Sequence, residues 1–217
     1  MIRTDLAAEA KEFIDSSSRA LSGVSTSTAD HDGINISRIE ITSERGAEAM
    51  GHPIGTYITV DTGEFRKKDS ESFKSAVMCI ARQLRSVISI KSDDSILIVG
   101  LGNKLITADA LGPKVTEYVM VTRHVQSELE KYFDPKLRAV SAICPGVLGQ
   151  TGIETGELIK GTSSLTKPSL IIAIDALAAR SVSRIARTVQ ISDAGITPGA
   201  GVGNAREIGR ASCRERV

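Results

Sequence analysis

Tryptophan is absent from this chain of 217 residues, and aromatic side chains make up only 3% of it. Any core must therefore be built from aliphatic side chains. An excess of one charge is lacking too: 27 Lys and Arg stand against 26 Asp and Glu, a formal net charge of +1. Bulk electrostatics gives no reason to expect nucleic-acid binding. No apolar run approaches the length that spans a membrane, so no membrane partner is expected. The amino terminus has no basic segment leading into an apolar one, so no signal peptide is visible. Three cysteines, Cys79, Cys144 and Cys213, are odd in number and widely spaced. That fits a reduced, cytoplasmic protein without a disulfide framework. What remains is 41% hydrophobic and 24% charged, the balance of a soluble globular chain long enough for one substantial core.

Two short apolar runs carry the argument. Leu170 to Ile174 is unbroken and of strand length, as a strand buried on both faces reads. Asp175 stands where it stops. A carboxylate at the carboxyl end of a parallel strand faces the usual ligand crevice of an open α/β sheet; an N-cap for a following helix explains the same residue equally well. Ser95 to Val99 repeats the pattern and leads through Gly100-Leu-Gly102-Asn103 to Asp109. If the two strands lie side by side, Asp109 and Asp175 can converge.

Elsewhere the signals alternate between helix and strand. Thr4 or Asp5 can cap a helix bearing Leu6, Ala10, Phe13 and Ile14. Asp15 to Gly33, rich in Ser, Thr, Gly and Asp, reads as a loop. Ile34 to Ile36 and Ile39 to Ile41 alternate like a strand with a slip between them. Ser43 to Met50 reads as a short helix and Tyr57 to Val60 as a strand. Asp69 caps the clearest helix, whose stripe runs Phe73, Ala76, Val77, Ile80, Ala81, Leu84, Val87 and Ile88. Further strands are expected at Ala139 to Ile143 and Val189 to Ile191, with helices after Pro113, from a Thr155 cap to Gly161, and beyond Asp175. This alternation predicts an α/β fold in three layers with a largely parallel sheet. Ile208 to Val217 matches what a common sequencing adapter gives when translated, so residues 207–217 are read as a non-native tail.

Several chemistries fit poorly. Gly100-Leu-Gly102 lacks the third glycine of a dinucleotide fingerprint, since Leu105 stands there; a tight turn passing close to other backbone is the plainer reading. His31, His52 and His124 share no ligand spacing with one another or with the cysteines, and His124 reads as a surface or packing residue. A hard cation on Asp109, Asp175 and Asp193 is open but nothing specifies it. Cys144 reads as packing unless a base adjoins it. The aspartate pair remains. Two close carboxylates do not readily both ionise, so one can donate a proton to a carbonyl while the other takes one from water. That is aspartic-type peptide hydrolysis without metal or cofactor.

The chain resembles the spore germination endopeptidases, the germination protease family. The resemblance rests on Arg3-Thr-Asp-Leu-Ala7, Tyr57-Ile-Thr-Val60, Ile98-Val-Gly-Leu-Gly-Asn103, Asp109-Ala-Leu-Gly-Pro113 and Val121-Thr-Arg-His124. It continues in Pro145-Gly-Val147, Gly149-Gln-Thr-Gly-Ile-Glu-Thr155, Ala173-Ile-Asp-Ala-Leu-Ala-Ala-Arg180, Gln190-Ile-Ser-Asp-Ala-Gly195 and Pro198-Gly-Ala-Gly-Val-Gly-Asn204. It implies an atypical aspartic endopeptidase, with a fold similar to the hydrogenase-maturation endopeptidases and catalytic aspartates at Asp109 and Asp175. The implied substrates are small acid-soluble spore proteins, cut during germination in the cytoplasm of the spore core. The resemblance also implies a homotetramer made as a self-cleaving zymogen. Cleavage after an acidic residue and before a hydrophobic-Ala pair places processing between Asp5 and Leu6, with residues 1–5 as propeptide. Residues 1–206 would then be a single peptidase domain, incomplete at its carboxyl end. Gly102, Asn103, Pro145 and Gly146 are the expected cleft walls. Cys144 departs from the small non-cysteine residue expected there. A metal-dependent maturation endopeptidase of similar fold and an inactive fragment are the rival readings.

Overall fold

The computed structural model describes residues 6–16, 22–63, 69–128 and 137–196. In chain order the elements are α1 (Ala7–Ser16), β1 (Val24–His31), β2 (Ile34–Ile41), α2 (Glu44–Met50), β3 (Gly55–Asp61), α3 (Ser70–Val87) and β4 (Ile96–Gly100). Then follow α4 (Leu111–Thr116), α5 (Arg123–Glu128), β5 (Val140–Ile143), α6 (Leu148–Thr151), α7 (Thr155–Thr166), β6 (Leu170–Ile174) and β7 (Thr188–Ser192). The cap expected at Thr4 or Asp5, the Pro198 to Asn204 motif and the 207–217 tail lie outside the described residues. The chain divides into two compact units, one from residues up to Ser89 with Leu177–Gly195, the other centred on Ile90–Ala176.

The first unit is built on an antiparallel sheet in the order β1-β2-β3-β7. Asp32 and Gly33, with φ of 55° and 76°, close the β1–β2 hairpin and pair His31 with Ile34. Positive φ at both turn residues matches the right-handed twist of the strands, and Asp-Gly tolerates it. β1 occupies part of the stretch that reads as a loop. It is exposed along nearly its whole length, so its Ser/Thr sequence carries no apolar alternation to betray a strand.

β2 is one continuous strand, not two with a slip. Ile34 and Ile36 lie in a core with Ile58, Val60 and Ile191, against Ala76 and Cys79 of α3. Ile39 and Ile41 point the other way, into a second core with Ala7 of α1, Met50 of α2 and Tyr57. The buried face changes midway because α3 covers one side of the sheet and α1 and α2 the opposite side further along. α3 is capped as expected, the Ser72 N–H donating to Asp69 Oδ1 at 2.8 Å. Its buried line is narrower than the sequence stripe. Ala76, Cys79, Ile80, Leu84 and Val87 meet the sheet, whereas Phe73 and Val77 stand 51% and 46% exposed.

The second unit holds a parallel sheet, order β5-β4-β6. β4 is central; Leu97 and Val99 are fully buried and pack with Leu101 and with Ile159 of α7. α7 runs through Gly161 to Thr166. The α/β class thus holds, and the two apolar runs are adjacent parallel strands, Ile96 opposite Leu170 and Gly100 opposite Ile174. The expectation of one largely parallel sheet needs correction. Among the described residues only these three strands are parallel; the other four form a separate antiparallel sheet, whose β1–β2 pair is joined by a short turn that admits only antiparallel neighbours. No α-helix follows Asp175 among the described residues. The segment makes one 3-10 turn at Val182–Arg184 before β7.

Candidate active site

Asp109 is placed by how the chain leaves β4. The Leu101 N–H donates across to the Ile174 carbonyl at 2.8 Å, holding the end of β4 against the end of β6. Gly102 then adopts φ +108°, a region favourable only to glycine. The chain doubles back through Ile106 and a 3-10 turn at Thr107–Asp109, and the Asn103 N–H donates to Asp109 Oδ2 at 2.8 Å. α4 starts two residues later and presses on both strand ends. A Cβ on its Gly112 would lie 2.4 Å from the carbonyl oxygens of Leu101 and Ile174, and one on Gly100 would lie 2.4 Å from that of Gly112. The glycines of this stretch therefore serve close backbone approach between loop, helix and strand ends.

Asp175 follows the last residue of β6 and is half-buried, like Asp109. Its Oδ1 accepts the Ala176 N–H at 2.8 Å. With no helix beginning here, the N-cap explanation of this residue falls away. Both aspartates thus stand at the carboxyl edge of adjacent parallel strands, with α4 against both strand ends. This is the edge at which open parallel sheets take their ligands.

The loop after β5 lies beside the loop after β4. Gly146 has φ +73° and its carbonyl accepts from the Thr155 hydroxyl at 3.2 Å; Pro145 before it is half-buried. Asn103 Oδ1 accepts from Gln150 Nε2 of α6 at 2.9 Å, tying the loop after β4 to the loop after β5. Of the expected wall residues, Gly102 and Asn103 adjoin Asp109, and Gly146 lies beside Gln150, which bonds to Asn103. Gln150 falls within one of the resemblance motifs, but its bond to Asn103 was not readable from the sequence, because the partner lies 47 residues away.

Cys144 is exposed at the end of β5, its thiol 2.6 Å from the Thr116 hydroxyl and 3.9 Å from the Pro113 carbonyl. Neither partner is a base that could activate a nucleophile. Lys104 pairs with Glu117, whose hydrogen bond and charge raise the lysine above its usual value. His124 is exposed on α5, and His52 stacks edge-on against Tyr57. Asp193 Oδ1 accepts the Thr56 N–H at 2.7 Å. Among the described residues no three His, Cys, Asp or Glu side chains are grouped to hold a metal.

Of the expected processing pair, Asp5 lies outside the described residues, and Leu6 is fully buried. α1 is fastened just beyond. The Ala7 N–H donates to Gln190 Oε1 at 2.9 Å, and buried Glu9 accepts the N–H groups of Arg180 and Ser181 at 2.9 and 3.1 Å. Arg184 reaches Glu9 at 3.5 Å and Glu12 at 2.6 Å. The only sequence sign of this clamp is a carboxylate amid Leu6, Ala7, Ala8 and Ala10.

Comparison with known proteins bears out the family resemblance. The germination protease family profile matches residues 2–212. A germination protease of Caldanaerobacter subterraneus is 45% identical over 205 residues, covering 94% of this chain and 63% of the relative. One from Clostridium perfringens is 45% identical over 208 residues, covering 94% and 64%. One from Bacillus subtilis is 44% identical over 214 residues, covering 95% and 58%. The chain therefore spans about three-fifths of the length of these relatives, and it belongs to the germination protease family.

Proposed function

We propose that this chain is part of an endopeptidase that begins the breakdown of small acid-soluble spore proteins at germination, with Asp109 and Asp175 as its acid–base pair. The observation that carries the reading is their position at the carboxyl ends of neighbouring parallel strands, beside a loop whose N–H already serves one carboxylate. One aspartate, protonated, donates to the scissile carbonyl oxygen. The other takes a proton from the attacking water, and the proton then passes to the leaving amine as the C–N bond breaks. Gly102, Asn103, Pro145 and Gly146 form the cleft walls. No cofactor enters this scheme.

The wider expectations belong to the same proposal: a peptidase domain over residues 1–206 akin to the hydrogenase-maturation endopeptidases, a homotetramer, and action in the cytoplasm of the spore core. Among the described residues no helix is long and apolar enough to cross a membrane. The zymogen reading, with cleavage between Asp5 and Leu6, acquires a condition. Because Leu6 is buried, the start of α1 must come away before that bond can enter a cleft.

The test is cleavage of a small acid-soluble spore protein by the chain extended to the length of its relatives. Asp109→Asn and Asp175→Asn run beside it, with and without a chelator. Cutting by the unaltered protein, loss in both variants and indifference to chelator sustain the aspartate pair. Abolition by chelator turns both carboxylates into metal ligands, and full activity of the variants removes them from the site.

A further inference from the structure

Asn103 Oδ1 receives two donors, the Leu105 N–H and Gln150 Nε2, each at 2.9 Å. The main-chain donor fixes both amide orientations. The Asn103 atom facing a backbone N–H is its oxygen, so the Gln150 atom facing the same oxygen is a nitrogen. The other end of the Gln150 amide, Oε1, lies over Gly146, where a Cβ would approach it to 3.3 Å. Gln150 thus spans from the loop after β5 to the loop after β4. From Asn103 a single bond remains to the carboxylate, its own N–H donating to Asp109 Oδ2 at 2.8 Å.

The chain Gln150–Asn103–Asp109 is directional. An Asn side chain held from two sides cannot swing, and its backbone amide is held with it. Gln150 is itself exposed, so removing its amide opens no cavity in a core. We propose that Gln150 is a positioning residue for Asp109: its side-chain N–H fixes Asn103 so that the Asn103 main-chain N–H stays aimed at Oδ2. This rests on the role proposed above for Asp109.

Three variants separate geometry from stability. Gln150→Leu removes the donor, Gln150→Glu keeps the shape but presents an acceptor to an acceptor, and Gln150→Lys restores a donor. In the chain extended to the length of its relatives, with a small acid-soluble spore protein as substrate, Gln150→Leu and Gln150→Glu are expected to lower kcat roughly 10- to 100-fold. KM should stay within about twofold and the unfolding midpoint should not move, since the bond shapes the reacting geometry and not uniform binding. Lys should recover most of the loss. Unchanged kcat in Leu and Glu, or equal loss in all three, overturns the proposal.

Asp109→Asn run alongside keeps the two readings apart: if it cuts normally, the proposed function fails whatever Gln150 does. Amide hydrogen exchange at Asn103 tests the linkage without any activity. In the chain as it stands, protection should fall about tenfold in Gln150→Leu and Gln150→Glu and persist in Gln150→Lys. Equal protection in all variants overturns the proposal.

Discussion

Gly102 and Asp109 meet so closely that no side chain fits between them. A Cβ on Gly102 would stand 2.1 Å from the Asp109 carbonyl oxygen and 2.8 Å from Oδ1. Gly102→Ala must therefore push the carboxylate aside and also strain a φ of +108°. Strain of this kind costs about 1–3 kcal/mol. The expected outcome is a lowered unfolding midpoint and a loss of kcat/KM of roughly 100-fold, since small displacements of a reacting group cost that much. An alanine variant with normal turnover would show that Asp109 does not need its present place.

Asp61 gives the first unit an acid limb. Burial alone would raise its carboxyl, but the Arg187 guanidinium, bonded to it at 2.8 and 3.0 Å, and the Gly63 N–H lower it below the ordinary 3.8. A carboxyl lowered in the folded state adds stability above its unfolded value and loses it as pH falls through its folded value. Urea unfolding across pH should show a constant gap between the unaltered protein and Asp61→Asn well above 3.8. Below that value the gap should close. A gap independent of pH would mean that the ion pair contributes no linkage.

Glu9 predicts a larger loss. Glu9→Ala strands two main-chain N–H groups and one side of Arg184, and breaking a buried charged cluster this way costs roughly 3 kcal/mol. Denaturant unfolding measures it directly. A cost below about 1 kcal/mol, the range of surface pairs, would mean that water replaces the carboxylate freely.

Ile36 and Ile39 stand three residues apart in one strand yet belong to different cores. Each truncation to alanine should cost about 2–5 kcal/mol. Because the two cavities share no lining, the double variant should cost the sum within about 0.5 kcal/mol. Strong non-additivity would place both residues in one core.

What was legible in the sequence was whatever burial had written into it. Ile96–Gly100 and Leu170–Ile174 stand out as unbroken apolar runs, but only central β4 is buried as such a run suggests; β6, at the edge of the three-stranded sheet, is half-buried along its whole length. Asp69 and Ser43 announce their helices because capping is a contact within three residues. The rest fails for identifiable reasons. β1 is exposed on both faces, so nothing obliges its side chains to alternate. The alanine-rich stretch after Asp175 has helical propensity, but backbone N–H groups at Arg180 and Ser181 are taken by Glu9, from 171 and 172 residues away. In the candidate site the aspartates were legible as strand-end carboxylates, whereas the Gln150–Asn103 bond depends on two loops being brought together by the sheet.

The change of buried face along β2 also guards its alignment. In a strand with one buried side, sliding by a residue exposes apolar groups and buries polar ones once. Here the same slide would carry Asn35 and Ser37 towards α3 while forcing Arg38 and Glu40 under α1 and α2. A single misstep is penalised at both ends of the strand, the second time by taking the Arg38–Glu40 ion pair out of water. β2 is thus a ruler with marks on both sides, fixing the pairing of β1 and β3 against helices on opposite faces of the sheet.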